Sequence, residues 1–223
     1  TTVADGNQLA GLALAGEQAG GTLWLAGSAG AQAWAGDATT PRSFTASDGL
    51  HGNLLTAVAD CPVDGYGIVF GSPAGLQIYD PQTQAWRFQN STNSDLRYDD
   101  VVSLACDPRG RYLVVGYAAH GIDVYDAARD AWRHLDRNSG LGANDARRVA
   151  VVGDLDAVWV VANDGVTRSA GADSAFYTRS NSPLDGRTGA VAVAGDDTVW
   201  LGGEGALDRV RGDAWTVFSQ TTV

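Results

Sequence analysis

The feature that most constrains this chain is a repeat. Five segments share one shape: Leu23-Trp24-Leu25-Ala26-Gly27, Gly67-Ile68-Val69-Phe70-Gly71, Tyr112-Leu113-Val114-Val115-Gly116, Val158-Trp159-Val160-Val161-Ala162 and Val199-Trp200-Leu201-Gly202-Gly203. Their last residues fall at 27, 71, 116, 162 and 203, so the intervals are 44, 45, 46 and 41 residues. A unit of that size cannot bury its own apolar surface and must stack on its neighbours.

Each segment is preceded by an apolar run and a polar turn. Val101-Val102-Ser103-Leu104-Ala105-Cys106 leads into Asp107-Pro108-Arg109-Gly110, and the equivalents occupy residues 9–15, 55–59, 149–152 and 190–194. Each is followed by a Gly turn and a third apolar run, such as Gly75-Leu76-Gln77-Ile78-Tyr79-Asp80 or Gly121-Ile122-Asp123-Val124-Tyr125-Asp126. A fourth run carries one aromatic residue: Phe44, Trp86, Trp132, Phe176 or Trp215. Four strands per unit, five times over, predict an all-β propeller of five four-stranded blades of about 44 residues. One domain results, with blades at approximately 5–50, 51–98, 99–143, 144–187 and 188–223.

The patterning agrees. Inner strands covered on both faces should be continuously apolar, as Gly-Ile-Val-Phe-Gly and Tyr-Leu-Val-Val-Gly are, whereas Trp132-Arg133-His134-Leu135 alternates like an outer strand. The repeated aromatics are expected to fill the wedges between blades, a ligand cage being the other reading. Residues 9–15 also admit a short helix by Ala and Leu content, although Gly11 and Gly16 oppose it by about 1 kcal/mol each. Thr1-Thr2-Val3 recurs as Thr221-Thr222-Val223, an offset of five 44-residue units. That phase predicts a closed five-blade ring; the alternative is a stretch of a longer array, part of a larger chain or assembly.

Glycine at 29 residues against 6 prolines suits short strands joined by tight turns. Fifteen cations, all arginine, against 26 acids leave a formal charge of −11, which repels phosphate backbones and anionic lipid. Nucleic acid is not an expected partner. Membrane insertion is not expected either, since no apolar run reaches the roughly 18 residues of a spanning helix.

Chemistry-bearing residues are few. Cys61 and Cys106 lie ten residues before Gly71 and Gly116, at equivalent places on adjacent blades. Such points are expected to be further apart than the roughly 7 Å a disulfide spans. Buried thiols are therefore expected, with a bridge or metal and redox use as alternatives. His51, His120 and His134 have no metal-ligand spacing, and His134 is expected to be solvated on a fourth strand. Asp99-Asp100, Asp196-Asp197 and Asp154-x-Asp156 read as turn residues in preference to calcium ligands. Gly71-Ser72-Pro73-Ala74-Gly75 has its serine in the wrong place for a nucleophile elbow. No metal and no cofactor are expected.

In a propeller, the linkers from a fourth strand to the next first strand share one face with the turns between strands two and three. Loops on a rigid scaffold are where function concentrates. Tyr98, His120, Arg148, Asn163 and Glu204 are expected to ring the channel mouth on that face and to bind ligand. The reading is a non-catalytic binding or protein-interaction domain for a protein, small-molecule or carbohydrate ligand. The alternative is a carbohydrate-active enzyme, a glycosidase or lyase, with acids converging on the channel.

Gly20-Gly21-Thr22-Leu23-Trp24-Leu25-Ala26-Gly27, Gly71-Ser72-Pro73-Ala74-Gly75-Leu76 and Asp196-Asp197-Thr198-Val199-Trp200-Leu201-Gly202-Gly203-Glu204-Gly205 together resemble the two-component-regulator propeller repeat, a relative of WD-repeat and quinoprotein-like propellers. Asn138-Ser139-Gly140-Leu141-Gly142-Ala143-Asn144-Asp145 is similar to that family's linker into the next blade. The resemblance covers the whole chain, though blade two lacks the Trp and blade four has Ala162 for the Gly. It implies an extracytoplasmic (periplasmic or secreted) sensor or assembly domain.

Overall fold

Apolar runs joined by tight turns pair antiparallel with the run next in sequence, because a short loop reaches no other partner. In the computed structural model, which describes residues 8–16, 21–36, 38–152, 157–171, 173–184 and 187–219, this yields five four-stranded antiparallel sheets, each in sequential strand order. Blade 1 comprises β1 (Leu9–Ala15), β2 (Thr22–Gly27), β3 (Gly30–Ala35) and β4 (Arg42–Phe44). Blade 2 comprises β5 (Ala57–Asp60), β6 (Ile68–Ser72), β7 (Gly75–Asp80) and β8 (Ala85–Gln89). Blade 3 comprises β9 (Val101–Cys106), β10 (Tyr112–Tyr117), β11 (Ile122–Asp126) and β12 (Ala131–Leu135). Blade 4 comprises β13 (Arg148–Val152), β14 (Ala157–Val161), β15 (Val166–Ala170) and β16 (Asp173–Tyr177). Blade 5 comprises β17 (Thr188–Val193), β18 (Val199–Gly203), β19 (Ala206–Arg211) and β20 (Ala214–Ser219). The opening run is thus a strand, and its helical alternative is not adopted.

Consecutive blades stack face on face. Trp24, Ala26 and Phe44 of blade 1 pack on Ile68, Phe70 and Tyr79 of blade 2. Val69, Leu76 and Ile78 meet Leu113, Val115 and Tyr117 of blade 3. Val114, Ile122 and Val124 meet Val149, Val151, Val158 and Val160 of blade 4. Trp159, Val161 and Val166 meet Val199, Leu201 and Val210 of blade 5. Of the fourth-strand aromatics, Phe44, Trp86, Trp132 and Trp215 join these interfaces. Phe176 instead lies over the linker at Gly142, where an added Cβ would meet its ring at 1.9 Å.

These contacts correct the repeat phase. The residues at the equivalent forward-facing place of the second strands are Trp24, Val69, Val114, Trp159 and Trp200, whose spacing is 45, 45, 45 and 41. In blades 2 and 3 the terminal glycine itself points forward, whereas in blades 1 and 4 the residue before it does. Side chains alternate faces along a strand, so a one-residue slip exchanges the two faces. Gly116 shows why the forward position must be small in blade 3: an added Cβ would lie 2.2 Å from Ser103 Oγ and 2.9 Å from the Ala146 carbonyl. Ser103 Oγ donates to that carbonyl at 2.6 Å and so clasps blade 3 to the linker into blade 4. Gly116→Ala is expected to lose about 1–3 kcal/mol of stability by chemical denaturation, through overpacking and loss of the clasp.

A second repeated device ties each linker down. Gln32, Gln77, Asp123, Thr167 and Asp208 are buried polar residues on the third strand of each blade, all facing backward. Gln77 accepts from the His51 N–H at 2.7 Å and donates to the Gly52 carbonyl at 3.0 Å. Asp123 accepts from the Arg97 N–H at 2.8 Å, and Thr167 Oγ1 from the Gly142 N–H at 3.0 Å. In blades 2, 3 and 4 the latch thus holds the segment arriving from the preceding blade. In blade 1 the equivalent Gln32 Oε1 has no partner although it is buried.

One expectation is corrected. Cys61 and Cys106 form a disulfide, with Cα atoms 5.2 Å apart. The first strands of consecutive blades converge on the axis and touch, so neighbouring strand ends lie closer than blade-to-blade spacing on the rim suggests. Among the described residues no apolar cluster joins blade 5 to blade 1, and Leu12 and Leu14 are 64% and 63% exposed. Equal phase places a strand within its blade but does not set the angle between blades. Thr1-Thr2-Val3 and Thr221-Thr222-Val223 lie outside the described residues.

Candidate functional site

The five first strands wall an axial channel. Each first strand places an alanine opposite the forward residue of the second strand: Ala13, Ala59, Ala105, Ala150 and Ala192. Small side chains there leave a funnel of about 640 Å³, lined further by Leu14, Val151, Val191 and Val193 and rimmed by Asp60, Asp107, Arg109 and Asp197. Burial raises the Asp60 carboxyl above its ordinary range, with N–H groups of Gly16 and Cys61 opposing the shift. Asp107 is buried and accepts from Arg111 Nε at 2.9 Å, which braces the turn at the rim. This apolar funnel was not anticipated. Its signal in the sequence is the alanine found at the equivalent place in every first strand.

The opposite mouth is polar. Backbone pairing sets equivalent positions around it: the carbonyls of Gln8, Asp100 and Arg187 accept from Ser28, Ala118 and Glu204 N–H groups at 3.1, 3.2 and 3.2 Å. Blade 3 therefore presents an acid where blade 5 presents a base. Blade 4 adds Arg147 and Arg148 at the start of β13.

Arg187, Thr188 and Glu204 are shared by two adjoining clefts at blades 4 and 5, of about 670 and 360 Å³. The larger is completed by Asn163, Asp164, Thr178 and Arg179, the smaller by Arg147, Arg148 and the glycines of β18. A third, of about 300 Å³, joins Arg148 and Asn163 to Asp145 and to Ala118 of blade 3. Arg147 donates to Asn163 Oδ1 and Arg148 to the Arg147 carbonyl, at 2.5 and 2.7 Å. Among the described residues, no carboxylate lies in ion-pair range of Arg148 or Arg187.

Of the five anticipated ligand residues, Arg148, Asn163 and Glu204 are brought together by these clefts, while Tyr98 and His120 line none of the three. Tyr98 stacks on His120 at 4.0 Å and meets Tyr117 edge-on at 5.6 Å. His120 Nδ1 lies 3.0 Å from Asp100 Oδ1. That pair is a structural stack beside the acidic part of the mouth.

Beneath it lies a network the sequence reading missed. Asp123 is 1% exposed; it accepts from Tyr117 Oη at 2.5 Å and pairs with His134 Nδ1 at 2.7 Å. His134 is therefore held by a buried carboxylate, contrary to the expected solvated ring: the latch position on β11 lies opposite it in the ladder. Desolvation, together with the Asp123 charge, pushes the Tyr117 phenol far above its ordinary range. His51 stacks on Phe88 at 3.7 Å. Asp99 accepts from the Ser91 N–H at 2.7 Å, eight residues back in the linker. Among the described residues no group of His, Cys, Asp or Glu gathers as a metal site, and Asp154 and Asp156 lie outside them.

Five radially stacked, four-stranded meanders around a channel with one apolar and one charged end define a β-propeller. No protein-family model matches the chain, and no curated protein matches it in sequence. Solved structures do share its fold. The extracellular domain of the putative one component system BT4673 from B. thetaiotaomicron superposes with a TM-score of 0.73 at 16% identity, over 97% of this chain and 32% of that one. YCF48 bound to D1 peptide gives 0.65 at 15% identity, over 97% and 69%. The nidogen/laminin complex gives 0.67 at 11% identity, over 96% and 81%. The chain thus spans about a third of the length of the BT4673 domain. The resemblance to two-component-regulator propellers holds at the level of fold.

Proposed function

We propose that this chain is a non-catalytic recognition domain that takes a charged ligand at the polar channel mouth, in an extracytoplasmic sensor or assembly protein. The observation that carries this reading is the polarised mouth, with Asp100 on blade 3 and, on blades 4 and 5, Arg148 and Arg187, which have no carboxylate in ion-pair range among the described residues. Guanidinium groups free of carboxylate partners keep their planar donor forks for a ligand carboxylate. They stand out in a chain of net charge −11, whose distant acids are screened beyond about 8 Å at physiological salt. The disulfide supports an oxidising compartment. Solved propellers of this fold include an extracellular domain, a protein bound to a peptide and a member of a protein complex.

The test is a panel of fluorescent dodecapeptides of varied charge, beside a neutral and uronic glycan panel, read by anisotropy. Acidic peptides are expected to bind, and Arg148→Ala with Arg187→Ala to weaken them more than tenfold, since each charge-assisted bond contributes about 1.5–3 kcal/mol. Equal binding by the double variant sinks the assignment of the site. Cleavage of a glycan, abolished by Asp99→Asn with Asp100→Asn, would establish the carbohydrate-active alternative instead.

A further inference from the structure

Blades 3 and 4 each close the turn between their second and third strands with a carboxylate of their own. Asp100 Oδ2 accepts from the Ala118 N–H at 3.2 Å, and Asp145 Oδ2 from the Asn163 N–H at 2.9 Å. Both acids lie in the linker that leads into their blade, and a carboxylate on a backbone N–H makes a charge-assisted bond, roughly twice as strong as a neutral one.

Blade 5 repeats this turn without the acid. The Glu204 N–H meets the Arg187 carbonyl at 3.2 Å, just as the Ala118 N–H meets the Asp100 carbonyl at 3.2 Å. Asn163 holds the same place in blade 4, since Ala162 before it bonds across the turn to Gly165 as Tyr117 does to Gly121. Arg187 therefore stands at the position of Asp100 and carries the opposite charge. Among the described residues no carboxylate bonds the Glu204 N–H or pairs with Arg187 or Arg148. Arg187, the buried Thr188 and Glu204 are the residues that the two larger-numbered blades share between their adjoining clefts. The place that an aspartate fills in blades 3 and 4 thus opens on a cleft in blade 5, beside a cation.

Resting on the reading of the mouth as a site for a charged ligand, we infer that blade 5 is a carboxylate receptor. The ligand's carboxylate accepts from the Glu204 N–H, in place of the aspartate this blade lacks, and from the Arg187 guanidinium. Arg148 lines the smaller cleft beside it. A doubly charged phosphate is disfavoured, because the Glu204 side chain belongs to both clefts and the chain carries −11 overall. An acidic side chain and a peptide C-terminus present the same group, and the probes below separate them.

Amide shifts of the isotope-labelled intact chain test this. The probes are N-acetylglycine for a terminal carboxylate, the α-amide of N-acetylaspartate for a side chain, N-acetylglycinamide as the neutral control and inorganic phosphate. Each is titrated from about 1 mM to about 100 mM, the range of ligands held by one or two polar contacts, at matched ionic strength. The two carboxylates are expected to move the Glu204 amide, the other two probes to leave it in place, and the tighter carboxylate names the source. Arg187→Gln removes the cation but not the N–H, so that amide should still move, with affinity lowered about tenfold or more. Arg187→Asp restores the arrangement of blades 3 and 4. Its Glu204 amide is expected near the ligand-bound position without any probe, and to respond to none. If acidic dodecapeptides bind and lose affinity with Arg148→Ala and Arg187→Ala, yet no carboxylate moves the Glu204 amide, the receptor is overturned while the recognition mouth stands. Phosphate moving that amide as strongly as the carboxylates also overturns it. If neither the peptides nor the carboxylates bind, both readings fall.

Discussion

Asp123→Ala is expected to destabilise the chain by about 3–5 kcal/mol, seen as a lower denaturant midpoint. The carboxylate is buried and meets three groups: the Tyr117 hydroxyl, the His134 ring and the Arg97 backbone N–H. Alanine would leave all three without a partner where water has little access, and unmatched buried polar groups cost more than the bond itself contributes. Asp123→Asn keeps the acceptor oxygen and should lose roughly half as much. The effect should also be local at first. The Arg97 N–H leads directly to Tyr98 and the stack on His120, so amide exchange in residues 95–100 is expected to quicken before that of blades 1 and 5. A loss of under about 1 kcal/mol would mean that water or a rearranged linker satisfies these groups without the carboxylate.

Removing the disulfide comes second. Cys61 and Cys106, 45 residues apart, close a loop that contains β6, β7 and β8 of blade 2 and runs through β9 of blade 3. Chain-entropy arithmetic for that loop gives about 4 kcal/mol, and native bridges typically contribute about 2–4 kcal/mol. The Cys61→Ser, Cys106→Ser double variant is therefore expected to melt roughly 5–15 °C lower, at about 2–4 °C per kcal/mol for a chain of this size. Reductant should lower the wild type by the same amount and leave the variant unmoved. If reductant lowers both equally, the stabilisation has another source. The bridge also joins the first strands of blades 2 and 3 beside the apolar funnel, which Cys106 helps to line. Loss of ligand at the polar mouth is not expected from its removal.

Much of the architecture was legible in the sequence, for a local reason. Strand, turn, strand and turn are decided by residues near one another, so five apolar runs with Gly and Asp between them specify five meanders before any long-range contact is known. The aromatic of each fourth strand and the polar residue of each third strand also recur in the chain, although only the first was noticed. Gln32, Gln77, Asp123, Thr167 and Asp208 become a set once their shared backward orientation is seen. Of the residues expected at the mouth from loop position, Arg148, Asn163 and Glu204 come together in adjoining clefts, whereas Tyr98 stacks on His120, which also meets Asp100.

What the sequence by itself determined is the blade: its four strands, its period and its count. Tertiary structure alone decided how the blades meet. Which side of a strand faces forward depends on a single-residue register: in β6 and β10 the terminal glycine follows the forward-facing Val69 and Val114 by two residues, whereas in β2 and β14 the matching position follows Trp24 and Trp159 by three. Whether two cysteines meet depends on how closely strands converge at an axis that no local segment encodes. How blade 5 is placed relative to blade 1 depends on an angle accumulated over four interfaces, each set by the bulk of side chains from two different blades. Local periodicity carries no information about that sum.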